Sequence, residues 1–339
     1  MRRARVSTVL GLLVSAVSLG AVAWWISRQD APALPGSVGG WAWLAVAVPA
    51  IAVNFTLRGW RWHLILRHAG IPHRGRDAFG LTLVGYMGNN VLPARGGELL
   101  KIGLLGERTT ARRREILGTV VVERVLDAAV LVVLLGALAW AGVDGAPGGR
   151  GGATLAVAGL LAAAAALAGY LWLRRRGRFE RFAAAIRPVA GAFRLLASPP
   201  GVPLALISLV IWCIDGLTFL VIARAVGVGL DPLAAMGAIV LASLAAALPA
   251  APGYVGTFDA GMLLGLNAAG VEGGDAVGVL LLARFLFFIP ATLAGLAVLL
   301  VGYRGGAQTR RNVSTTWNRS ASRMSTSSSA NLSDHRSRT

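Results

Sequence analysis

Hydrophobic residues fall in long blocks along this chain, and two of the blocks contain residues that a lipid-embedded helix does not tolerate. Long, mainly apolar runs cover residues 6–26, 41–57, 117–143, 153–173, 202–225 and 276–303. Each is near or above the about 20 residues that a helix needs to cross a bilayer core, so the pattern predicts six full transmembrane helices. The run at 6–26 follows Arg2, Arg3 and Arg5 and could open a signal peptide cleaved after Ala21-Val22-Ala23. Trp24-Trp25 directly after it reads instead as an interfacial aromatic belt closing an uncleaved span.

The two interrupted blocks are residues 79–105 and 233–269. The first contains Asn89, Asn90, Pro93, Arg95, Gly96, Gly97, Glu98 and Lys101. An unpaired polar group in lipid costs several kcal/mol. The amides before a proline should end a helix, and the glycine pair should turn the chain. The second holds Pro249, Pro252, Gly253, Gly256, Thr257 and Asp259, a spacing that regular helix cannot accommodate. Both are predicted to be broken, re-entrant segments. Irregular backbone survives at membrane depth where protein or a water-filled cavity surrounds it, so a binding site is expected there. A further stretch, 179–196, places Phe182, Ile186, Val189 and Phe193 at helical spacing opposite Arg181, Arg187 and Arg194. It is expected to lie as an amphipathic helix on cytoplasmic headgroups. From residue 304 onward the chain is basic and Ser-rich with little apolar content, and a disordered tail is expected.

Composition agrees with a membrane protein: 55% of residues are hydrophobic, 14% are charged, and mean hydropathy is +0.66. Lys and Arg number 33 against 15 acids. That balance raises nucleic acid as a partner, but 26 of the 33 bases fall at the N-terminus, at 58–76, 108–114 and 174–194, or in the tail. The positive-inside rule then puts both termini in the cytoplasm of a cell membrane and removes the need for nucleic acid. The lone Cys213 excludes a disulfide framework within one chain. No P-loop, Rossmann glycine pattern or HExxH motif occurs, and no cofactor or metal is expected. His63, His68, His73 and His335 are expected to be solvated or to face headgroups.

Charges also enter the spans. Glu123 and Asp127 are four apart on one helix face, with Arg124 beside them; Asp215 and Arg284 lie in later spans. Charges in a span face the bundle interior and pair there. The two broken segments correspond weakly: Leu92-Pro93-Ala94 matches Leu248-Pro249-Ala250. Each match is followed by glycines and an acid, Glu98 or Asp259, and just over thirty residues later by an arginine, Arg124 or Arg284. With the first segment opening to the cytoplasm and the second to the outside, this is the pattern of an inverted repeat around a transporter site.

The set Asn89-Asn90-x-Leu92-Pro93-x-Arg95-x-Gly97-Glu98-x-x-Lys101, Glu123-Arg124-x-x-Asp127, Pro252-Gly253-x-x-Gly256-Thr257 and Arg284 resembles the flippase-like transmembrane domain of lysylphosphatidylglycerol synthases. The resemblance covers roughly residues 7 to 303, and its first motif is the most specific. It departs at Asp259, where Glu is expected in much of the family. The resemblance implies movement of a lipid between leaflets. No soluble aminoacyltransferase domain follows Tyr303, so the chain is expected not to be an enzyme. Arg is suited to a lipid phosphate because its fork is bidentate. Arg95, Arg124 and Arg284 are the candidate phosphate partners, with Lys101 as a point charge nearer the cytoplasm. Glu98, Glu123 and Asp127 would meet a cationic headgroup or neutralise those arginines; for Glu123, Arg124 and Asp127 a closed packing network is an equal alternative.

The expectation is thus an all-α polytopic protein that binds and translocates a phospholipid or lipid-linked headgroup. The alternatives are a membrane enzyme or an accessory subunit in polyprenyl-phosphate-linked sugar or lipid modification. Expected partners are membrane lipids (an anionic phospholipid or a lipid-linked glycan), a soluble synthase or glycosyltransferase, and a further copy of the chain in a homo-oligomer.

Overall fold

A computed structural model of the chain describes residues 24, 27, 32–92, 95–141, 198–247 and 252–303. The expected spans at 6–26 and 153–173, the amphipathic helix at 179–196, the tail from 304 and the residues Pro93 and Ala94 lie outside the described residues, apart from Trp24. The described residues form eight α-helices and no strand: α1 Val38–His68, α2 Gly75–Val91, α3 Gly96–Gly106, α4 Arg113–Trp140, α5 Gly201–Ala225, α6 Pro232–Ala245, α7 Thr257–Ala268 and α8 Gly273–Gly302. A short 3-10 turn, Pro252–Tyr254, precedes α7. The described residues up to Leu296 belong to one compact unit.

Among the described residues three helices, α1, α5 and α8, are long and apolar enough to cross a membrane. Helix α4 has 28 residues but carries Glu123, Arg124 and Asp127 near its middle. The outer faces of the long helices expose apolar side chains: Trp41 and Val53 on α1, Val132 and Val133 on α4, Leu206 on α5 and Leu293 on α8. A lipid-facing surface needs those positions to be apolar.

Each broken segment is a hairpin of two short helices. Asn89 and Asn90 lie in the last turn of α2, and α3 begins at Gly96, so the amides and glycines interrupt the helix where the sequence indicates. Glycine lets the two arms touch: a Cβ on Gly88 would overlap Gly97 backbone, and one on Gly97 would overlap the Gly85 carbonyl. The second hairpin, α6 and α7, is closed in the same way, with Gly261 and Gly265 against Leu241, Ala242 and Ala238. Asp231 starts α6 by accepting hydrogen bonds from the Leu233 and Ala234 amides, with Pro232 in the first turn. Asp259 starts α7 by accepting from the Gly256 amide at 2.8 Å.

The main apolar core joins α1, α5, α6, α7 and α8 through Ala47, Ile51, Phe219, Ala223, Ala238, Met262 and Ala283. One span boundary differs from expectation. In the sequence the apolar run at 41–57 ends in a basic, aromatic cluster, Arg58 to His63, whose composition predicts a place at the membrane interface. Helix α1 instead continues to His68, and it buries Arg58 and Arg61 at 8% and 1% exposure. The physical reason is pairing: acids on α4 and α5 lie opposite both arginines, so neither guanidinium has to reach water.

Candidate functional site

Helix α1 supplies the centre of the polar interior. Asn54 and Arg58 are one turn apart, and the Arg58 Nε donates to Asn54 Oδ1 at 2.7 Å. Arg58 donates from its other nitrogens to Tyr86 Oη on α2 at 2.9 Å and to Asp215 Oδ2 on α5 at 2.6 Å. Asn54 Nδ2 donates to the second Asp215 oxygen at 3.0 Å and to the Ile211 carbonyl. Arg58 lies ten residues before the end of its helix, about 15 Å inside it at 1.5 Å per residue. The pair with Asp215 therefore sits deep in the bundle.

One helical turn nearer His68 lies a second network. Arg61 donates to Asp127 Oδ1 at 2.7 Å, to Asp127 Oδ2 at 3.3 Å and to Ser208 Oγ at 2.7 Å. It is also 4.0 Å from Glu123, which accepts a 2.7 Å bond from Lys101 Nζ on α3. Lys101 sits 3.6 Å from the Trp62 ring centre and is 6% exposed. Arg124 completes the chain of charges, with Glu98 Oε1 at 3.0 Å and Asp127 Oδ2 at 3.5 Å. Its contact with Glu98 is a charge contact, not an aligned hydrogen bond. Removing either member of a buried pair leaves a charge uncompensated, so the network locks α1, α3, α4 and α5 together.

A cavity of about 170 Å³ opens between the two hairpins and α1, α4, α5 and α8. Arg58, Arg95 and Arg124 reach it, as do Asp127 and Asp215. Asn54, Asn90 and Ser243 add uncharged polar groups, and Phe55, Tyr86, Trp212, Tyr254, Phe258, Phe287 and Phe288 form much of its wall. Arg95 enters from the turn of the first hairpin. Its backbone is left-handed at φ 56°, a conformation that is uncommon outside glycine and found most often at functional sites. The side chain donates to the Ala246 carbonyl at 2.7 Å and lies 5.5 Å from the Tyr254 ring centre, both in the second hairpin. No carboxylate lies within ion-pair distance of Arg95 among the described residues.

The residues singled out from sequence divide into four groups. Asn90, Arg95, Arg124 and Asp127 line the cavity, and Asn90 Nδ2 donates to Thr292 Oγ1 at 2.9 Å and the Phe288 carbonyl at 3.3 Å. Glu98, Lys101 and Glu123 stand behind it in the ion network. Asn89 and Gly97 lie in the tight contact between α2 and α3. Pro252, Gly253, Gly256, Thr257 and Asp259 form the turn into α7, and Arg284 of α8 packs on it. Arg284 pairs there with Asp259, donates to the Gly253 and Tyr254 carbonyls at 3.2 and 3.4 Å, and lies over Phe258 and Phe288. Its guanidinium is engaged in holding this turn. The acid and the arginine that follow each half of the sequence match are ion partners, Glu98 with Arg124 and Asp259 with Arg284. Glu98 is paired with Arg124, and Arg95 with no acid.

Sequence reasoning missed Asn54, Arg58 and Arg61, and noted Asp215 as a charge in a span without its partner. A signal existed: Asp215 alone in an apolar span requires a cation, and Asn54, Arg58 and Arg61 recur at helical spacing. The aromatic wall had no signal distinguishing it from ordinary core.

Comparison with known proteins gives two curated relatives. One is a glycosyltransferase, AglD, of Haloferax volcanii, 27% identical over 303 residues, covering 75% of this chain and 48% of the relative. The other is a phosphatidylglycerol lysyltransferase of Staphylococcus xylosus, 33% identical over 123 residues, covering 36% of this chain and 14% of the relative. The chain therefore spans about half or less of the curated relatives it matches. No solved structure matches it. Both relatives are named as enzymes, which overturns the expectation that the chain is not an enzyme; that expectation rested on a missing soluble domain, whereas the shared region is the membrane part. Residues 8–295 match the family described as the lysylphosphatidylglycerol synthase TM region, and this membrane-integral chain belongs to that family.

Proposed function

We propose that the cavity receives the phosphate-bearing headgroup of a membrane lipid and carries it between leaflets in the course of lipid modification. The observation that supports this reading is the convergence of Arg58, Arg95 and Arg124 on one recess deep in the bundle. Guanidinium groups there offer charge-assisted, forked donors to phosphate where water cannot. At about 170 Å³ the recess is smaller than the 300–1,000 Å³ of typical ligand pockets, and it suits a headgroup whose chains remain in lipid. The two hairpins supply the route. Their matching acid–arginine pairs favour an inverted repeat, with the first hairpin re-entrant from the cytoplasm and the second from outside. On this reading residues 1–303 are the transmembrane domain, residues 304–339 are a cytoplasmic tail, and both termini face the cytoplasm of a cell membrane. Asn90, Arg95, Arg124 and Asp127 then meet the substrate directly, while Glu98, Lys101 and Glu123 hold them in place.

A second reading is favoured by the similarity to a glycosyltransferase over 75% of this chain. In it the cavity holds a lipid-linked phosphate for group transfer, and movement between leaflets is absent.

The test is a leaflet-accessibility assay on vesicles reconstituted with the full chain. Arg58→Gln and Arg95→Gln should stop lipid movement while the protein still inserts and melts cooperatively. Folded variants that move lipid at the parent rate would refute the translocation reading. A parent protein that binds phosphate lipid without moving it would favour the transfer reading.

A further inference from the structure

We infer that the cavity selects lipids whose headgroup pairs a phosphate with an uncharged hydroxylated group, and turns away aminoacylated, cationic headgroups. This rests on the reading of the cavity as a lipid-headgroup site and specifies its substrate class. A lysylated headgroup brings an ammonium that needs a carboxylate or an open aromatic face. The cavity has two carboxylates, and all four of their oxygens are engaged. Asp215 accepts from Arg58 and Asn54. Asp127 accepts from Arg61 on both oxygens and also faces Arg124.

Five of the cavity's seven aromatic rings are no freer, and a sixth, Phe55, stands edge-on to Tyr86. A guanidinium lies 5.0 to 5.6 Å from the ring centres of Tyr86, Trp212, Tyr254, Phe258 and Phe288. An ammonium approaching any of these rings meets a cation already in place, which cancels the attraction of the ring quadrupole. Arg95 brings a positive charge that no acid among the described residues balances, and in a low-dielectric recess like charges repel strongly.

The remaining groups suit neutral hydroxyls. Ser243 faces the cavity, and its hydroxyl has no hydrogen-bond partner among the described residues. Trp212 also lines the cavity, with Nε1 unpaired and the residue 7% exposed. A glycerol or sugar hydroxyl can exchange a bond with Ser243, while phosphate goes to Arg95. Phosphatidylglycerol and a polyprenyl-phosphate hexose both present this chemistry.

The experiment measures binding of four lipids to the full chain in nanodiscs of neutral lipid: phosphatidylglycerol, its lysyl ester, a polyprenyl-phosphate hexose and polyprenyl phosphate alone. Lysyl-phosphatidylglycerol should bind about tenfold or more weakly than phosphatidylglycerol. Stronger binding of the hexose lipid than of bare polyprenyl phosphate would support the hydroxyl contacts and name a sugar-bearing source; stronger binding of phosphatidylglycerol than of both would name a phospholipid. Arg95→Glu should reverse the preference between phosphatidylglycerol and its lysyl ester, and Arg95→Lys should keep it. A lysyl ester that binds as well as phosphatidylglycerol and loses affinity in Arg58→Gln would overturn the selectivity and leave the site standing. Binding of no phosphate lipid, or binding unaffected by Arg58→Gln, would instead overturn the site itself.

Discussion

Replacing Asp215 by Asn tests whether the cavity is built to hold negative charge. Asn has nearly the same shape, so the packing of α1 against α5 is retained. The change removes the only carboxylate within ion-pair distance of Arg58 among the described residues, now 2.6 Å away. Both side chains are about 10% exposed, so solvent screening is small. Breaking a buried pair by removing one charge costs about 3–5 kcal/mol. Hydrogen bonds from Arg58 to Tyr86 and Asn54 survive, which favours the lower end. For a chain of this size about 3 kcal/mol corresponds to a fall of roughly 4 °C in melting temperature. An anionic headgroup then supplies the missing charge, and ligand at about 100 times its dissociation constant returns about 2.7 kcal/mol. The assay is a thermal melt of the purified variant with and without phosphatidylglycerol. A variant that melts within about 2 °C of the parent, or one that phosphatidylglycerol stabilises no better than a neutral lipid does, would refute the reasoning.

Glycine substitutions separate close contact from open helix: Gly88→Ala should destabilise by about 1–3 kcal/mol or more because its Cβ overlaps Gly97. Gly136→Ala, with nothing within 4 Å, should stabilise α4 by about 0.5–1 kcal/mol; equal melts for the two would show that the α2–α3 contact is loose. Lys101→Met should leave Glu123 buried with Arg61 at 4.0 Å and lower the melt by several degrees, and Lys101→Met with Glu123→Leu should recover much of the loss; a double variant as unstable as the single one would show that the pair is not coupled. Deleting residues 306–339 should leave membrane expression and thermal stability near the parent values, since the segment has few apolar groups to bury. In a Cys213→Ala background, cysteine placed at Ser37 should label from outside intact cells and cysteine at Ser329 should not; labelling of Ser329 from outside would invert the orientation.

The interruptions were readable because they are chemically costly. Amides before a proline and a glycine pair beside charges are costly in a lipid-facing helix, and the chain breaks within a few residues of them, whereas the lone Pro49 and Pro290 sit inside α1 and α8. The sequence showed an acid and an arginine recurring after each break, and the structure pairs them. Arg58 and Arg61 escaped because a basic, aromatic cluster at the end of an apolar run has two physical outcomes. It can sit among headgroups, or it can continue as helix when acids elsewhere in the chain compensate it. Spacing along α1 cannot choose between them, because the deciding groups, Asp127 and Asp215, are 66 and 157 residues away. Arg284 illustrates the converse. Its membrane position suggested a ligand, and its guanidinium is engaged by Asp259 and two carbonyls of the same segment. The cavity wall was invisible for a simpler reason, since Phe55, Trp212 and Phe287 have the spacing of ordinary buried aromatics.

The central claim is that a lipid phosphate occupies the recess between the hairpins. Photocrosslinking with phosphatidylglycerol carrying a photoreactive headgroup, followed by peptide mass spectrometry, tests it most directly. The account predicts adducts on Tyr86, Trp212 and Tyr254 that are competed by unmodified phosphatidylglycerol and lost in the Arg58→Gln, Arg95→Gln double variant. Adducts confined to the outer face, at Val132, Val133 and Leu206, and unchanged in that variant, would contradict it.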